Sequence, residues 1–588
     1  MKKKISLVFN KLYKYIENNL MKILYVYLFF IVLLIIFALK QGDDIMFHLQ
    51  RMEAVINEVK NSGIKAFPIR IYHSTAGGYG YGSPLFYCDL FLWPFAIIAS
   101  AFNISTVLIY KFMLCVVLIA IFLISNYSFS LVFKKKDKEI SLFLYIFSVT
   151  LFSNATGSWV GRYFAMMFAP LCVCSFYCLL ENKDKLKFSI LLAIGVTGTI
   201  FSNVIDAVII VFVLLVYMIF NIKKLNIRII LYILLSVSLC FLLSSWFILP
   251  MIEQMLSQTL FVTSDKVNLG INDLGNWTIP LLGYIFPRET TSAIVKILNI
   301  NSSNIPDTYF EGILFYILII AIIIIYRKKY FKIISQQESK SYLYASIVLL
   351  LLFIVFQTKL FPHKLFANLI GVIQFPWRVN IVMSVLAIFI VININKTINN
   401  RIAILMVSFS MLLTLLTFMS SYGHDIARIA IKNKPFADYS FNSYNVGTGE
   451  YLPIELFDEN NIYSWGSKLN SRTNEVICSN DNVLIDYKKT FDSIYLDTSN
   501  VISNSKIELP LIYYYGYKAI EPVSNKEFSI EKSKMGLVQI NVDDNFNNIE
   551  IYYGGTELQK ISNYISIGGI IVCVILIYIN KNIYARGK

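Results

Sequence analysis

The chain has 588 residues, 56% of them hydrophobic and 15% aromatic, with a mean hydropathy of +0.61. Repeated apolar runs near 20 residues long exclude an ordinary soluble domain and argue for a polytopic α-helical membrane protein. The formal charge of +15 does not point to nucleic acid, because Lys and Arg fall largely in short hydrophilic breaks between those runs, as the positive-inside rule has it. The breaks are 2–22, 134–138, 183–187, 223–228, 327–340, 396–401 and 581–588.

The first run, 23–39 (ILYVYLFFIVLLIIFAL), is long enough to cross a bilayer, and no small-residue cleavage site follows it, so it predicts an uncleaved anchor. Directly after it come Asp43, Asp44, His48 and Arg51, ionisable groups that are costly at a membrane surface. Asp44, His48 and Arg51, spaced i, i+4, i+7, share one face of a helix; a solvated helix start with Asp near its N-terminus is the plainer reading. Residues 44–61 add an apolar stripe (Ile45, Leu49, Met52, Val55, Ile56, Val59) and predict an amphipathic helix lying flat in the interface. The next stretch, AFPIRIYHSTAGGYGYGSPLFY, sets Tyr79 and Tyr81 among glycines; flat faces with polar tips suit a sugar or a phosphate, and a tight loop explains them equally.

Residues 85–101 hold Asp89 and Pro94 and predict an interfacial or re-entrant piece. Further spans are expected at 106–131, 140–155, 162–180, 189–204, 205–221, 229–249, 312–326, 341–357, 379–394, 403–420 and 561–580. With the basic breaks cytoplasmic this makes about 12 spans with both ends inside, or 14 with a further pair. All four histidines (His48, His73, His363, His424) then fall outside, with Asp43, Asp44, Arg51, Arg162, Asp206, Glu253, Glu311 and Arg378. Several of these lie at span ends, where they can converge on one cavity at the outer leaflet. Loop positions account for His73 and His424. Asp206 (FSNVIDAV) and Arg378 (QFPWRVN) abut apolar sequence and need partners, although Arg162 also fits a span end and Arg378 an interfacial anchor.

Residues 421–560 change texture. Alternating runs such as KIELPLIYYYGYKAI, GLVQINVD and NNIEIYYGG predict strands of a small β-sandwich standing outside the membrane, with Asp497, Asp543 and Asp544 in turns. The expected plan is therefore a multi-span domain over 1–420 with a first outer loop at 40–105, an extracytoplasmic β-rich domain over 421–560, and a last span and cytoplasmic tail over 561–588. Of eight cysteines, only Cys88 and Cys478 read as exposed outside, which makes a disulfide framework unlikely on composition alone; Cys172, Cys174 and Cys178 sit in an apolar helix without a nearby His and read as packing residues.

The Asp/His/Arg cluster after the first span, then GYGYGSPLFY, SWFILPMIEQ (245–254), IQFPWRVN (373–380) and GEYLP (449–453), resemble in order and spacing the YfhO-like bacterial membrane proteins. Relatives in that family carry the label "6-pyruvoyl-tetrahydropterin synthase-related". That label implies a soluble zinc enzyme, and no cluster of His ligands in this chain fits it. The family in turn resembles the C-type glycosyltransferase superfamily, which implies a multi-span enzyme of the bacterial plasma membrane that takes sugar from a polyprenyl-phosphate donor on the outer face. By this resemblance Asp43 or Asp44 is the general base that activates an acceptor hydroxyl, or the holder of a divalent cation. A second acidic motif in a later loop, present in other members of that superfamily, is missing here.

Such a transfer needs a base at the acceptor oxygen and cations at the leaving phosphate. The catalytic candidates are Asp43, Asp44 and His48, the last orienting a carboxylate. The substrate-binding candidates are Arg51, Arg162, Asp206, Glu253, Arg378, Tyr79 and Tyr81. The expected partners are the polyprenyl-phosphate sugar, an envelope polymer acceptor and membrane lipids, with no nucleic acid. Two other functions compete: a transporter or flippase for a lipid-linked precursor, which calls for polar residues deep in several spans, and a non-catalytic envelope scaffold that works through the β-domain.

Overall fold

The computed structural model describes residues 2–39, 45–156, 160–181, 184–264, 313–337, 339–366, 370–399, 401–432, 446–447, 449–458, 461, 464–472, 474–479, 485–499, 505–542 and 548–586. Its helices are α1 (Lys2–Ala38), α2 (Ile45–Ser62), α3 (Trp93–Phe102), α4 (Thr106–Val132), α5 (Lys135–Ile146), α6 (Val149–Thr156), α7 (Val160–Leu180), α8 (Lys185–Ser202), α9 (Val204–Phe220) and α10 (Ile227–Ser257). Then come α11 (Ile313–Ile325), α12 (Arg327–Ile334), α13 (Lys340–Phe356), α14 (Asn380–Thr397), α15 (Ile402–Lys432), α16 (Ser464–Ser471) and α17 (Glu557–Arg586).

Each segment read as a span is an apolar helix. Among the described residues eight are long and apolar enough to cross a membrane, and α5 with α6, bent by 45° at a short break, makes up to nine. The others, α9, α11 and α13, have 17, 13 and 17 residues. The re-entrant piece is α3, ten residues begun by Trp93–Pro94 in the first turn, where proline costs no hydrogen bond, and closed by Asn103 in the left-handed region at φ 54°.

Contacts between the basic breaks gather them at one end of the bundle. Side chains there tie one break to the next. Lys396 pairs with Asp137 at 2.6 Å, Lys136 with Glu17 and Lys224 with Glu181, and Lys329 donates to the Ile398 carbonyl at 3.0 Å. Exposed pairs of this kind add little stability; they mark which chain segments are neighbours. The opposite end carries the start of α7, the α8–α9 junction, the end of α10, the start of α14, the start of α17 and the sheets.

Among the described residues eight strands form two antiparallel sheets, ordered β1-β4-β7-β6 and β2-β3-β8-β5. They are β1 (Ile477–Cys478), β2 (Asp486–Lys489), β3 (Ser493–Asp497), β4 (Ser505–Ile512), β5 (Tyr517–Ile520), β6 (Ile530–Lys532), β7 (Leu537–Val542) and β8 (Asn548–Tyr553). Alternate residues of both sheets, Ile507 and Ile540 in one, Ile494 and Ile551 in the other, bury into one core, which is the sandwich that the period-two pattern predicts. That core takes in Ile71, Tyr79, Tyr81, Leu85 and Phe86 of the loop between α2 and α3, so the loop and the sheets fold as one unit. The expected boundary at 421 falls inside a helix, because α15 continues to Lys432. Asp497 caps a turn as expected, accepting from the Ser499 N–H at 3.0 Å; Asp543 and Asp544 lie outside the described residues.

Two expectations about exposure fail. Helix α2 does not bury its apolar stripe alone: it also buries His48, Gln50, Arg51 and Glu58, packed against α3 and α4. Cys88 and Cys478 are buried as well, and all eight cysteines are free. Cys88 is screened by Phe201 and Phe247, and Cys478 by the sheet core.

Candidate functional site

His48 and Arg51 stand one turn apart on α2, at 4% and 3% exposure, too little for either to be solvated. Arg51 Nη2 donates to Asp89 Oδ1 at 2.6 Å and to the Tyr87 and Cys88 carbonyls at 3.3 Å each. Its Nη1 lies 3.3 Å from His48 Nδ1. A guanidinium only donates, so His48 accepts there and must be neutral. Burial and the Arg51 charge both hold the imidazole pKa well below its ordinary value. The other Asp89 oxygen accepts from the Tyr72 hydroxyl at 2.5 Å. Burial pushes the Asp89 carboxyl up, while Arg51 and Tyr72 pull it back.

Tyr87 extends this cluster toward the helix ends. Its ring lies 4.1 Å beneath the Arg51 guanidinium, a cation–π contact. Its hydroxyl meets α7 at Gly161, where a Cβ would lie 2.1 Å from that oxygen and 2.9 Å from the Ser202 carbonyl. A residue without a side chain is thus required there, and the next residue is Arg162. Arg162, buried, donates from Nη2 to the Trp377 carbonyl at 3.2 Å. Arg378 follows Trp377 in a single 3-10 turn before α14 and donates to Gln374 Oε1 at 2.7 Å. It lies within electrostatic reach of Asp206, Arg162, Tyr87 and Tyr451. Asp206 occupies the first turn of α9, where Asn203 caps the helix by accepting from the Ile205 and Asp206 N–H groups at 3.0 and 3.3 Å. A carboxylate suits that positive helix end.

Arg51, Arg162, Asp206 and Arg378 are therefore brought together from four elements. Two of the guanidinium N–H groups, Arg51 Nε and Arg378 Nη1, are buried and donate to no acceptor among the described residues. An unsatisfied buried donor costs about 1–3 kcal/mol, more when charged. The site is thus prepared to donate hydrogen bonds to an anion.

Other expected site residues lie elsewhere. Glu253 accepts from Thr556 Oγ1 at 2.7 Å and from Gln559 Nε2 at 3.5 Å, both at the start of α17. Arg70 lies within its electrostatic reach and donates to the Trp246 carbonyl at 2.8 Å and to Asn563 Oδ1 at 3.2 Å. This second cluster ties α10, α17 and the loop between α2 and α3 together. Tyr79 and Tyr81 are buried against the β-domain: the Tyr79 hydroxyl donates to the Leu469 carbonyl at 3.2 Å, and the Tyr81 hydroxyl accepts from the Tyr451 N–H at 3.3 Å. Asp43, Asp44 and Glu311 lie outside the described residues, as does the side chain of His424. His73 pairs with Glu58 at 3.1 Å, and His363 Nε2 lies 2.8 Å from the Phe356 carbonyl.

Asp89, Tyr72 and Tyr87 were not among the residues expected at the site. The signal for Asp89 was its position, a lone carboxylate in an apolar stretch that needs a cation. Among the described residues no group of three His, Cys, Asp or Glu side chains is placed to hold a metal ion. No family model, no curated protein and no solved structure matches this chain.

Proposed function

We propose that the chain is a membrane glycosyltransferase that moves a sugar from a polyprenyl-phosphate donor to an envelope acceptor on the outer face of a bacterial plasma membrane. In this reading the basic end is cytoplasmic, the chain crosses about 12 times, and the β-domain is extracytoplasmic. The observation that carries it is the pair of guanidinium groups with buried N–H donors left over, Arg51 on α2 and Arg378 in the turn before α14. Such a site suits a phosphate whose ester chain is itself apolar.

The chemistry is a single displacement. The acceptor oxygen attacks the anomeric carbon as its proton passes to Asp43 or Asp44, the two residues that immediately precede α2 in the chain. The bond from that carbon to the phosphate oxygen breaks, and its electron pair leaves with the phosphate, which Arg51 and Arg378 neutralise. One base suffices when the configuration inverts. Asp89 is committed to Arg51 and Tyr72, and neutral His48 serves to orient Arg51 rather than a carboxylate. Gln357 and Asn380, which bond each other at 3.0 Å, lie just past α13 and at the start of α14, a further polar pair at helix ends.

The test is transfer of labelled sugar from a polyprenyl-phosphate donor in membranes that carry single variants. Asp43→Asn or Asp44→Asn, and Arg378→Gln, are expected to lower transfer by at least about a hundredfold at unchanged protein level, the usual scale for a lost base or oxyanion partner. Full transfer in all three variants overturns the reading.

A further inference from the structure

The arginine site is covered by a segment of the outer domain. Residues 449–458 cross the first outer loop between the end of α10 and the sheets, and backbone bonds hold them on both sides of Tyr451. The Val262 N–H donates to the Glu450 carbonyl at 2.8 Å, the Phe261 N–H to the Leu452 carbonyl at 2.9 Å, and the Ile454 N–H to the Thr259 carbonyl at 3.1 Å. Tyr451 itself donates its N–H to the Tyr81 hydroxyl and accepts the Tyr514 hydroxyl at its carbonyl, at 3.3 and 2.9 Å. Its ring stacks on Phe86 with centroids 4.7 Å apart and planes 4° apart.

Phe86 is followed by Tyr87, the ring under Arg51, so Tyr451 and Arg51 lie over neighbouring residues of one loop. Tyr451 is within electrostatic reach of both Arg51 and Arg378. Every backbone polar group of Tyr451 is engaged and its ring is fixed, yet its hydroxyl bonds to no described residue. A rigid, unengaged donor beside two buried guanidinium donors is a preorganised third contact.

We propose that Tyr451, a residue of the outer domain, is a ligand-binding residue of the membrane site, and that its hydroxyl donates to the phosphate of a polyprenyl-phosphate ligand held by Arg51 and Arg378. This rests on the phosphate reading above. The β-domain is then part of the site and not an independent module.

The experiment uses full-length protein in detergent, with farnesyl phosphate as the probe, and farnesol and inorganic phosphate as separate arms. Wild type is expected to bind farnesyl phosphate and to bind the other two far more weakly. Tyr451→Phe keeps the stack and is expected to leave the melting temperature of the unliganded protein unchanged. It should weaken farnesyl phosphate about tenfold, the scale of one hydrogen bond to a charged group, and leave farnesol binding unaffected. Wild-type affinity in Tyr451→Phe, with Arg378→Gln impaired, overturns the role of Tyr451 and leaves the functional reading standing. Failure of wild type to bind farnesyl phosphate overturns both, and equal binding of inorganic phosphate overturns the lipid assignment.

Discussion

A histidine that accepts from an arginine in a dry pocket gives up its usual titration. His48 has its pKa depressed by burial and by Arg51, so as the pH falls below about 6.5 the unfolded chain takes up a proton that the folded chain refuses. Stability contributed by His48 is therefore present above that pH and lost below it. The unfolding midpoint of wild type in detergent is expected to drop between about pH 7.5 and about pH 5.5, and His48→Gln should drop less. Asp89, pushed up by burial, works in the opposite sense in both proteins, so the difference between them isolates the imidazole. A pH dependence identical in the two proteins would rule out the neutral His48 bond. The His48–Arg51 contact was legible in the sequence, since three residues along a helix is one turn. The Arg51–Asp89 pair was not, because 38 positions separate the two and no periodicity links them.

At the level of elements, hydrophobic run length located each apolar helix among the described residues, since apolar residues on every face leave an uninterrupted signal. Helix α2 escaped that logic. Its stripe predicts one buried face, but which further faces are covered depends on α3 and α4, which the stripe does not encode. The glycine-rich loop was readable as a place of close approach, but not what approaches it. At Gly82 a Cβ would lie 2.5 Å from the buried ring of Tyr514, so the loop and the β-domain meet there without room for a side chain. Gly82→Val is expected to destabilise this contact by about 1–3 kcal/mol. The residues around 446–464 should then be cleaved faster in limited proteolysis, while membrane insertion stays normal. Unchanged cleavage would mean that the loop and the sheets are not packed as one unit.

For the whole molecule, the alternation of basic and polar helix ends makes orientation the decisive measurement. Val523, 91% exposed on the β-domain, and Lys329, at the basic end, provide two reporters. In intact cells an impermeant maleimide is expected to label Val523→Cys and to leave Lys329→Cys unlabelled until the membrane is opened, with the parent chain as background. The reverse pattern would place the arginine site in the cytosol. Charge bias and the period-two strands made the two-part plan legible, whereas the merging of the first outer loop with the sheet core was not, because its partners lie so far along the chain.

That distance has a consequence for synthesis. The Tyr79 hydroxyl bonds a carbonyl 390 residues downstream, and Tyr81 one turn of loop later bonds a backbone group 370 residues downstream. When the ribosome has released the first helices, these tyrosines have no permanent mates and stay so until nearly the entire polypeptide has been translated. A nascent chain cut short before the strands emerge would therefore expose an aromatic, glycine-rich hairpin to whatever quality-control protease patrols that compartment, so premature termination should be read there as damage even though every earlier helix has been inserted correctly.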